Sequence, residues 1–483
     1  MDEAKNVIMA SNSITSNFVW KLAERILARG IEFIVSIVVA RLLAPDDYGV
    51  IAIVLVFISL ADVFVFTGFT SALIQKKDSD ETDFSTMFYC SLIMSAVLYA
   101  VIYVLAPYIA EFYQIESLTI ITRVFAIKIP LSVYNSIQHA YVSRHMLFKR
   151  FFMSTFTGTV LSGVVGIYLA YQGAGVWALV SQYFVNTIGD TLILAYTVKW
   201  YPKFLFSWQR AIKLMDYGWK VLASEFFGVF FGQLRNLVVG KYFTPSNLAI
   251  YNRGQHLPNL LYQNLGTSIT SVLFPALSNY SDDFAKIKDL TKRTTRLLAF
   301  VLFPLFTILI VTARPLTIIL LTEKWIESVP FLQILSLDYI IAIWGIGILP
   351  ALKATGRSDI VLKLEFVKKP IFVVLLLIGV KLGLYAVAIT MVIYELVATL
   401  INFYYANKII GYSIRESIND VHAPFVYCFL SGIISSAVAM VFENDVVILI
   451  FQIIVIIIIY VVLATLFHDK TLEYVYNKFV KRI

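Results

Sequence analysis

Residues 446–467 read VVILIFQIIVIIIIYVVLATLF, with Gln452 as the one marked polar interruption. A helix rises 1.5 Å per residue, so this run crosses the ~30 Å of bilayer hydrocarbon. It is apolar on every side, which suits lipid better than the rim of a soluble core. The surrounding chain has the same character. Of 483 residues 59% are apolar and 14% charged, and mean hydropathy is +0.80. An ordinary soluble domain carries about 25% charged residues. Similar stretches recur at roughly 14–42, 47–75, 84–110, 117–142, 150–172, 175–199, 216–241, 246–278, 293–321, 328–353, 360–380, 383–407 and 421–442. With 446–467 they make fourteen spans of an all-α membrane protein, and both termini fall on one side.

The basic residues choose that side. Lys76, Lys77, Arg144, Lys149, Arg150, Lys199, Lys203, Arg210, Lys213, Lys286, Lys353, Arg357 and Lys408 fall in loops on one face, with Lys5 and the tail residues Lys470, Lys478, Lys481 and Arg482. Lys288, Lys292, Arg293, Arg296, Lys363, Lys368, Lys369 and Arg415 are counted with them. The opposite face receives Arg41, Lys241, Arg314, Lys324 and Lys381. The richer face is cytoplasmic by the positive-inside rule. The same bias accounts for the net charge of +8 without nucleic acid as a partner. No cleavable leader is expected, since Met1 to Asn12 is polar and includes Asp2 and Glu3.

Several chemistries are excluded. Cys90 and Cys428 lie in separate apolar runs, so neither a zinc site nor a disulfide framework is expected. His139, His145, His256, His422 and His468 are scattered without metal-ligand spacing. There is no GxxxxGK[ST] loop for ATP hydrolysis. The longest connection, around Ser281 to Lys292, leaves no room for a soluble catalytic domain. No catalytic residue and no organic cofactor is expected.

A shift of about 200 residues brings landmarks into register. Trp20-Lys21 meets Trp219-Lys220, Arg41…Pro45 meets Lys241…Pro245, and Asp83-Phe84 meets Asp283-Phe284. Glu116-Ser117 then meets Glu327-Ser328 ahead of the next span. Six spans plus six, related by an axis along the membrane normal, give two lobes over 1–213 and 214–410. Residues 411–483 add two peripheral helices and a cytoplasmic tail. Two such lobes enclose a transport cavity.

An ionised group at mid-bilayer costs about 2.5–3.5 kcal/mol or more, so it should face a wet interior. On the first span Lys21, Glu24, Arg25, Arg29, Glu32 and Ser36 share about 140° of arc at 100° per residue. Lys21 and Arg25 either snorkel to the cytoplasmic face or join a cavity; Arg29 either pairs with Glu32 or faces substrate. Lys220 and Arg235 echo the stripe on the seventh span. Arg123 and Lys128 precede Pro130 on the fourth span; Arg253 and His256 precede Pro258 on the eighth, where a broken helix would free carbonyls. Lys21, Arg25, Arg29, Glu32, Arg123, Lys128, Lys220, Arg235 and Arg253 are the candidate cavity set. Glu24, Asp62, Asp190, Asp338 and Glu395 are candidates for coupling to H+ or Na+, with a buried interhelical hydrogen bond as the alternative for each.

Val39-Ala40-Arg41-Leu42-Leu43-Ala44-Pro45-Asp46-Asp47-Tyr48-Gly49 resembles the first-loop signature of Wzx-type polysaccharide flippases, a branch of the multidrug/oligosaccharidyl-lipid/polysaccharide exporter superfamily. Gly68 through Asp78 is similar to the end of that family's second helix. Arg144 through Arg150 resembles its basic loop after the fourth, and Lys353 through Arg357 the equivalent loop of the second half. The resemblance is greatest to the lipopolysaccharide and teichuronic-acid exporter branch. Phe66 stands where the family often has an acid, so that acid's role does not carry over. The resemblance implies a multi-pass bacterial inner-membrane protein moving undecaprenyl-pyrophosphate-linked oligosaccharide to the periplasmic leaflet; two rocking lobes around a cavity would do so by alternating access. Basic residues of the first helix, here Arg25 and Arg29, would serve the cavity. A polymerase and glycosyltransferases would accompany it. The rival in the same fold is an ion-coupled drug or cation antiporter. A polymerizing or glycosyl-transferring membrane enzyme would need a larger loop, and a scaffold would not need the polar stripe.

Overall fold

The computed structural model describes residues 27–76, 78–475 and 477. Lys21, Glu24 and Arg25 lie outside the described residues. Among those described, the regular structure is entirely helical. The helices are α1 (Arg29–Leu42), α2 (Pro45–Phe66), α3 (Gly68–Gln75), α4 (Glu81–Tyr113), α5 (Leu118–Ala126), α6 (Lys128–Arg144), α7 (Phe148–Tyr171), α8 (Val176–Val198), α9 (Trp208–Tyr242), α10 (Pro245–Ser278) and α11 (Phe284–Val311). Then come α12 (Ala313–Leu321), α13 (Val329–Gly345), α14 (Ile348–Ala354), α15 (Ser358–Leu382), α16 (Leu384–Ile410), α17 (Ile414–Ser436), α18 (Asp445–Leu466) and α19 (Lys470–Val475). Eight segments among the described residues are long and apolar enough to cross a membrane. The chain is a multi-pass membrane protein.

Helices begin earlier than hydropathy suggests wherever a polar turn leads into a span. α9 starts at Trp208 and α11 at Phe284. The expected long connection at 281–292 is therefore mostly helix, capped by Asp283, whose carboxylate accepts from the Lys286 N–H. The longest interhelical stretch among the described residues is instead 199–207. Basic residues at these helix starts, Arg210 and Lys286, lower the hydropathy sum although the helix has begun, which explains the difference.

Proline acts unevenly. The fourth span is interrupted at Ile127, between α5 and α6. The break lies next to Ala126, four residues before Pro130, where a proline leaves a carbonyl without its N–H partner. The tenth span is interrupted at 346–347, three to four residues before a proline, Pro350. The expected break at Pro258 is absent: α10 runs through Pro258 and Pro275 without interruption. Membrane helices tolerate such prolines where neighbours satisfy the freed groups.

The chain divides into two compact units, up to Ala249 and from Ile250. In the first, α9 packs along α2, α3 and α4. Glycines permit the approach: a Cβ on Gly218 would stand 2.7 Å from the Gly68 carbonyl oxygen. Phe69, Leu73, Phe84, Met87, Ile137 and Leu194 belong to one hydrophobic core of this unit. In the second unit α11 packs on α13 and α17, and α13 and α15 on α16. The 446–467 run lies within this unit. Ile448, Gln452, Ile456, Tyr460 and Ala464 form its buried stripe at every fourth residue, and Tyr460 Oη donates to the Phe300 carbonyl at 2.8 Å. Its opposite face leaves Ile450, Ile454, Ile457 and Ile458 exposed.

Candidate functional site

The α5–α6 break places Lys128 at the first position of a new helix, pointing across to α2. Its Nζ lies 3.0 Å from Asp62 Oδ2, with the side chains 16% and 24% exposed. The second carboxylate oxygen, Asp62 Oδ1, is buried with no hydrogen-bond partner. By sequence Lys128 is a substrate cation and Asp62 an ion-coupling acid; the structure joins them in one pair.

Farther along α6, Ser132, Asn135 and His139 follow Lys128 at four, seven and eleven residues, one face of the helix. Asn135 Nδ2 donates to Asp190 Oδ2 at 2.6 Å, and His139 Nε2 lies 3.0 Å from the same oxygen. Ser154 Oγ donates to the Asp190 backbone carbonyl at 3.0 Å. Asp190 Oδ1 is buried without a partner. A carboxylate on α8 thus meets an amide and an imidazole on α6. In the sequence His139 stands among scattered histidines and Asn135 carries no mark of its own. The spacing from Lys128 to His139 was the signal that could have found both.

The other candidates of this unit lie apart. Arg29 and Glu32 are exposed on α1, while Val35 and Val39 on its other side are buried. Arg123 is turned to α4, its Nε donating to the Tyr103 carbonyl at 3.2 Å and its guanidinium 4.2 Å from the Tyr103 ring. On α9, Lys220 is exposed and Arg235 half-buried.

In the second unit a cavity of about 520 Å³ opens beside the α13–α14 break. Gly345, Ile346 and Pro350 supply one wall, Tyr262 and Ser271 of α10 another, and Glu395 of α16 a third. Gly345 lies close enough to α16 that its Cβ would stand 3.0 Å from Thr399 Oγ1. Nearby on α10 and α13, Tyr339 Oη donates to Asn259 Oδ1 at 3.1 Å and accepts from Gln255 Nε2 at 3.2 Å. Arg253 stacks over the buried Trp325 ring at 5.0 Å. Asp338 is half-buried on α13. Lys368, assigned to the cytoplasmic face by sequence, is buried within α15 and pairs with Glu365 at 2.7 Å. Counting it as a loop cation hid a charge pair inside a span.

Both units thus hold a similar feature: a local interruption of the helical hydrogen bonding three to four residues before a proline, the backbone staying in the helical region at Ile127 and Ile346, with a carboxylate near it. Paired interruptions at corresponding places in two halves mark the binding region of many transporters.

Residues 38–330 match the family described as polysaccharide biosynthesis protein. The succinoglycan biosynthesis transport protein ExoT of Rhizobium meliloti (strain 1021) is 22% identical over 72% of this chain and 71% of its own. The teichuronic acid biosynthesis protein TuaB of Bacillus subtilis (strain 168) is 24% identical over 80% of each chain. Among solved structures, the lipid II flippase MurJ in an inward closed conformation covers 95% of this chain and all (100%) of its own with TM-score 0.72 and 15% identity. An inward-facing multidrug resistance MATE family transporter covers 82% of this chain and 98% of its own with TM-score 0.63 and 17% identity. These two share the fold. With most of its length matched and its spans in place, the chain belongs to the polysaccharide biosynthesis protein family of membrane proteins.

Proposed function

We propose that the protein is a flippase that carries polyprenyl-pyrophosphate-linked oligosaccharide repeat units across the bacterial inner membrane, from the cytoplasmic to the periplasmic leaflet. The observation that carries this reading is the pair of broken spans, each with a carboxylate beside it, in a chain of the polysaccharide biosynthesis family. The relatives named above for succinoglycan and teichuronic acid support the glycan class. Family membership sets transport in surface-polysaccharide synthesis above an enzyme's role.

The physical problem is the headgroup. Sugar hydroxyls and two phosphates would each lose several kcal/mol of hydration in hydrocarbon. A wet path between lobes keeps them solvated while the polyprenyl tail stays in lipid. Arginine suits pyrophosphate because its fork donates two parallel hydrogen bonds. Arg25 and Arg29 are therefore assigned to the headgroup, with Lys21, Lys220 and Arg235 as further cations. The lobes, taken as 1–213 and 214–410, alternate access by rocking, with both termini cytoplasmic. Asp190 with His139, and Asp62 with Lys128, are the first choices for H+ or Na+ coupling; Asp338 and Glu395 are the second. Glycosyltransferases supply the lipid-linked unit and a polymerase consumes it.

The test is a deletion strain. Surface polysaccharide should fall, and lipid-linked units of normal chain length should accumulate on the cytoplasmic side. Arg29→Ala should reproduce the loss at normal protein level. Normal surface glycan in the deletion strain sinks the proposal. Drug resistance gained on overexpression, with glycan unchanged, would favour an antiporter of the same fold.

A further inference from the structure

One face of α16 forms a wall of the cavity of about 520 Å³: Glu395, Thr399 and Asn402 recur there at four and seven residues. α10 faces it with two aromatic rings, Tyr262 and Phe274, and with the hydroxyls of Thr270 and Ser271. Tyr262 packs on the Tyr339 ring, 5.0 Å away between centroids, and Phe274 is 42% exposed. The volume falls within the ~300–1,000 Å³ of small-molecule pockets.

The polar groups narrow the choice of ligand. Asn402 is 8% exposed, and its side-chain oxygen is buried without a hydrogen-bond partner. A buried acceptor left unpaired is costly, and a donor arriving with a ligand removes that cost. An ionised Glu395 also only accepts. The Thr270 and Ser271 hydroxyls already donate to the Gly266 and Ser268 carbonyls, at 3.0 and 2.8 Å, which leaves them as acceptors. The exposed Lys353 adds an ammonium. The ligand must therefore bring donors of its own. A phosphate brings acceptors and would meet the Glu395 charge. A bare cation fits poorly as well. Glu395 and Asn402 are seven residues apart, about 10 Å along the helix, whereas hard cations hold their oxygens at about 2–2.6 Å. A sugar ring suits the whole lining: its hydroxyls donate in several directions, and its C–H face packs on an aromatic ring.

We propose that this cavity is a sugar subsite. It binds a neutral hexose or N-acetylhexosamine of the oligosaccharide, with Asn402 Oδ1 and Glu395 accepting from sugar hydroxyls and Tyr262 and Phe274 against the ring. Glu395 then has a ligand contact in place of ion coupling. As part of a transport path the subsite rests on the flippase reading; the binding of sugar by itself does not.

The experiment uses the purified full chain in a detergent without a sugar headgroup. Saturation-transfer NMR titrations measure binding of glucose, galactose, mannose and N-acetylglucosamine at millimolar concentration. Thermal shift follows the same sugars together with inorganic phosphate and sodium chloride. At least one sugar should bind, and neither salt should displace it. Asn402→Ala should weaken binding about fivefold and Glu395→Gln about tenfold or more. Tyr262→Leu should weaken it about fivefold. Without sugar, Asn402→Ala should melt as the parent does, because the lost oxygen holds no hydrogen bond. Gly228→Ala, in the other unit, should bind as the parent does. Failure of all four sugars to bind would overturn the subsite, and so would unchanged binding in all three variants. Loss of binding matched by a lower melting temperature in every variant would assign these residues to packing and overturn it too. A thermal response to sodium chloride that Glu395→Gln and Asn402→Ala abolish, with no sugar bound, would replace the subsite by a cation site. Sugar binding with normal surface glycan in the deletion strain would remove the flippase reading and leave the pocket. Glycan lost in that strain with no sugar bound would remove the pocket alone.

Discussion

Lys128 Nζ meets Asp62 Oδ2 at 3.0 Å from the first turn of a helix that starts one residue after a break. The pair couples the α5–α6 interruption to α2. Removing the cation would leave a carboxylate with one oxygen already unpartnered. Breaking a fully buried pair costs about 3–5 kcal/mol; partial exposure here reduces that to about 1–3 kcal/mol. Lys128→Ala should therefore lower the melting temperature of the purified protein and reduce surface glycan. Lys128→Gln/Asp62→Asn, which removes both charges, should recover most of the stability. If glycan export also recovers, the pair is a structural tie and not a coupling site.

Gly49 closes the first-loop signature, and its place explains why that motif ends in glycine. A Cβ there would stand 1.9 Å from the Pro245 carbonyl oxygen. Backbone cannot yield as a flexible side chain can. Gly49→Ala should cost about 1–3 kcal/mol or more and cut the amount of folded protein in membranes. Detergent-extracted yield and melting temperature measure it. Gly228→Ala, with no atom near the added Cβ, is the control and should behave as the parent.

The spans were legible because hydrocarbon thickness sets their length whatever the tertiary packing. Motif register was legible too, and the structure supplies its reason. Arg144, from the basic loop after the fourth span, donates to the carbonyls of Leu73 at 3.2 Å and of Lys76. It caps α3, so the second and third signatures are two sides of one contact. Side-chain partnerships were less legible. Asp190 looked isolated because His139 and Asn135 sit some fifty residues earlier on another helix. Lys368 looked like a loop cation because a lysine near a span end usually snorkels; its Glu365 partner holds it inside. Pro258 and Pro130 have the same sequence character, yet one helix continues and the other breaks. Packing decides that, and no local pattern encodes it.

Acid stability should depend on the α4 cap. Asp80 accepts from the Asp83 N–H at 3.0 Å and pairs with Arg210. The Arg210 guanidinium pulls the Asp80 carboxyl down to about 2 from an ordinary 3.8. A carboxyl lowered on folding adds stability above its unfolded value, and that stability drains away as pH falls through the folded one. Asp80 is 52% exposed, so the contribution stays under about 1 kcal/mol. Asp80→Asn keeps a capping side chain and removes the charge. Its melting temperature should fall slightly below the parent's at pH 5–7, and the gap should close between about pH 4 and pH 2. A gap that persists at pH 3 and below would assign the effect to the cap and not to the ion pair.

The broken spans provide the most direct test of how the units work. Pro130 follows the interruption at Ile127 by three residues and Pro350 follows that at 346–347 by three to four, next to the carbonyl four residues back that a proline ring strikes. Replacing either by alanine restores a donor N–H and removes the clash, so the helix gains a hydrogen bond. A stabilising change at a site built for function is expected to lower activity. Pro130→Ala and Pro350→Ala should each leave the melting temperature equal or higher while surface glycan falls severalfold, and the double variant should fall further. That combination separates a functional break from a packing accident, because an accident would leave export intact or improve it with stability. Circular dichroism of the purified variants would show helix content unchanged or slightly raised. Should export stay normal in the double variant, the breaks carry no part of transport, and the polar groups beside them would have to act on straight helices.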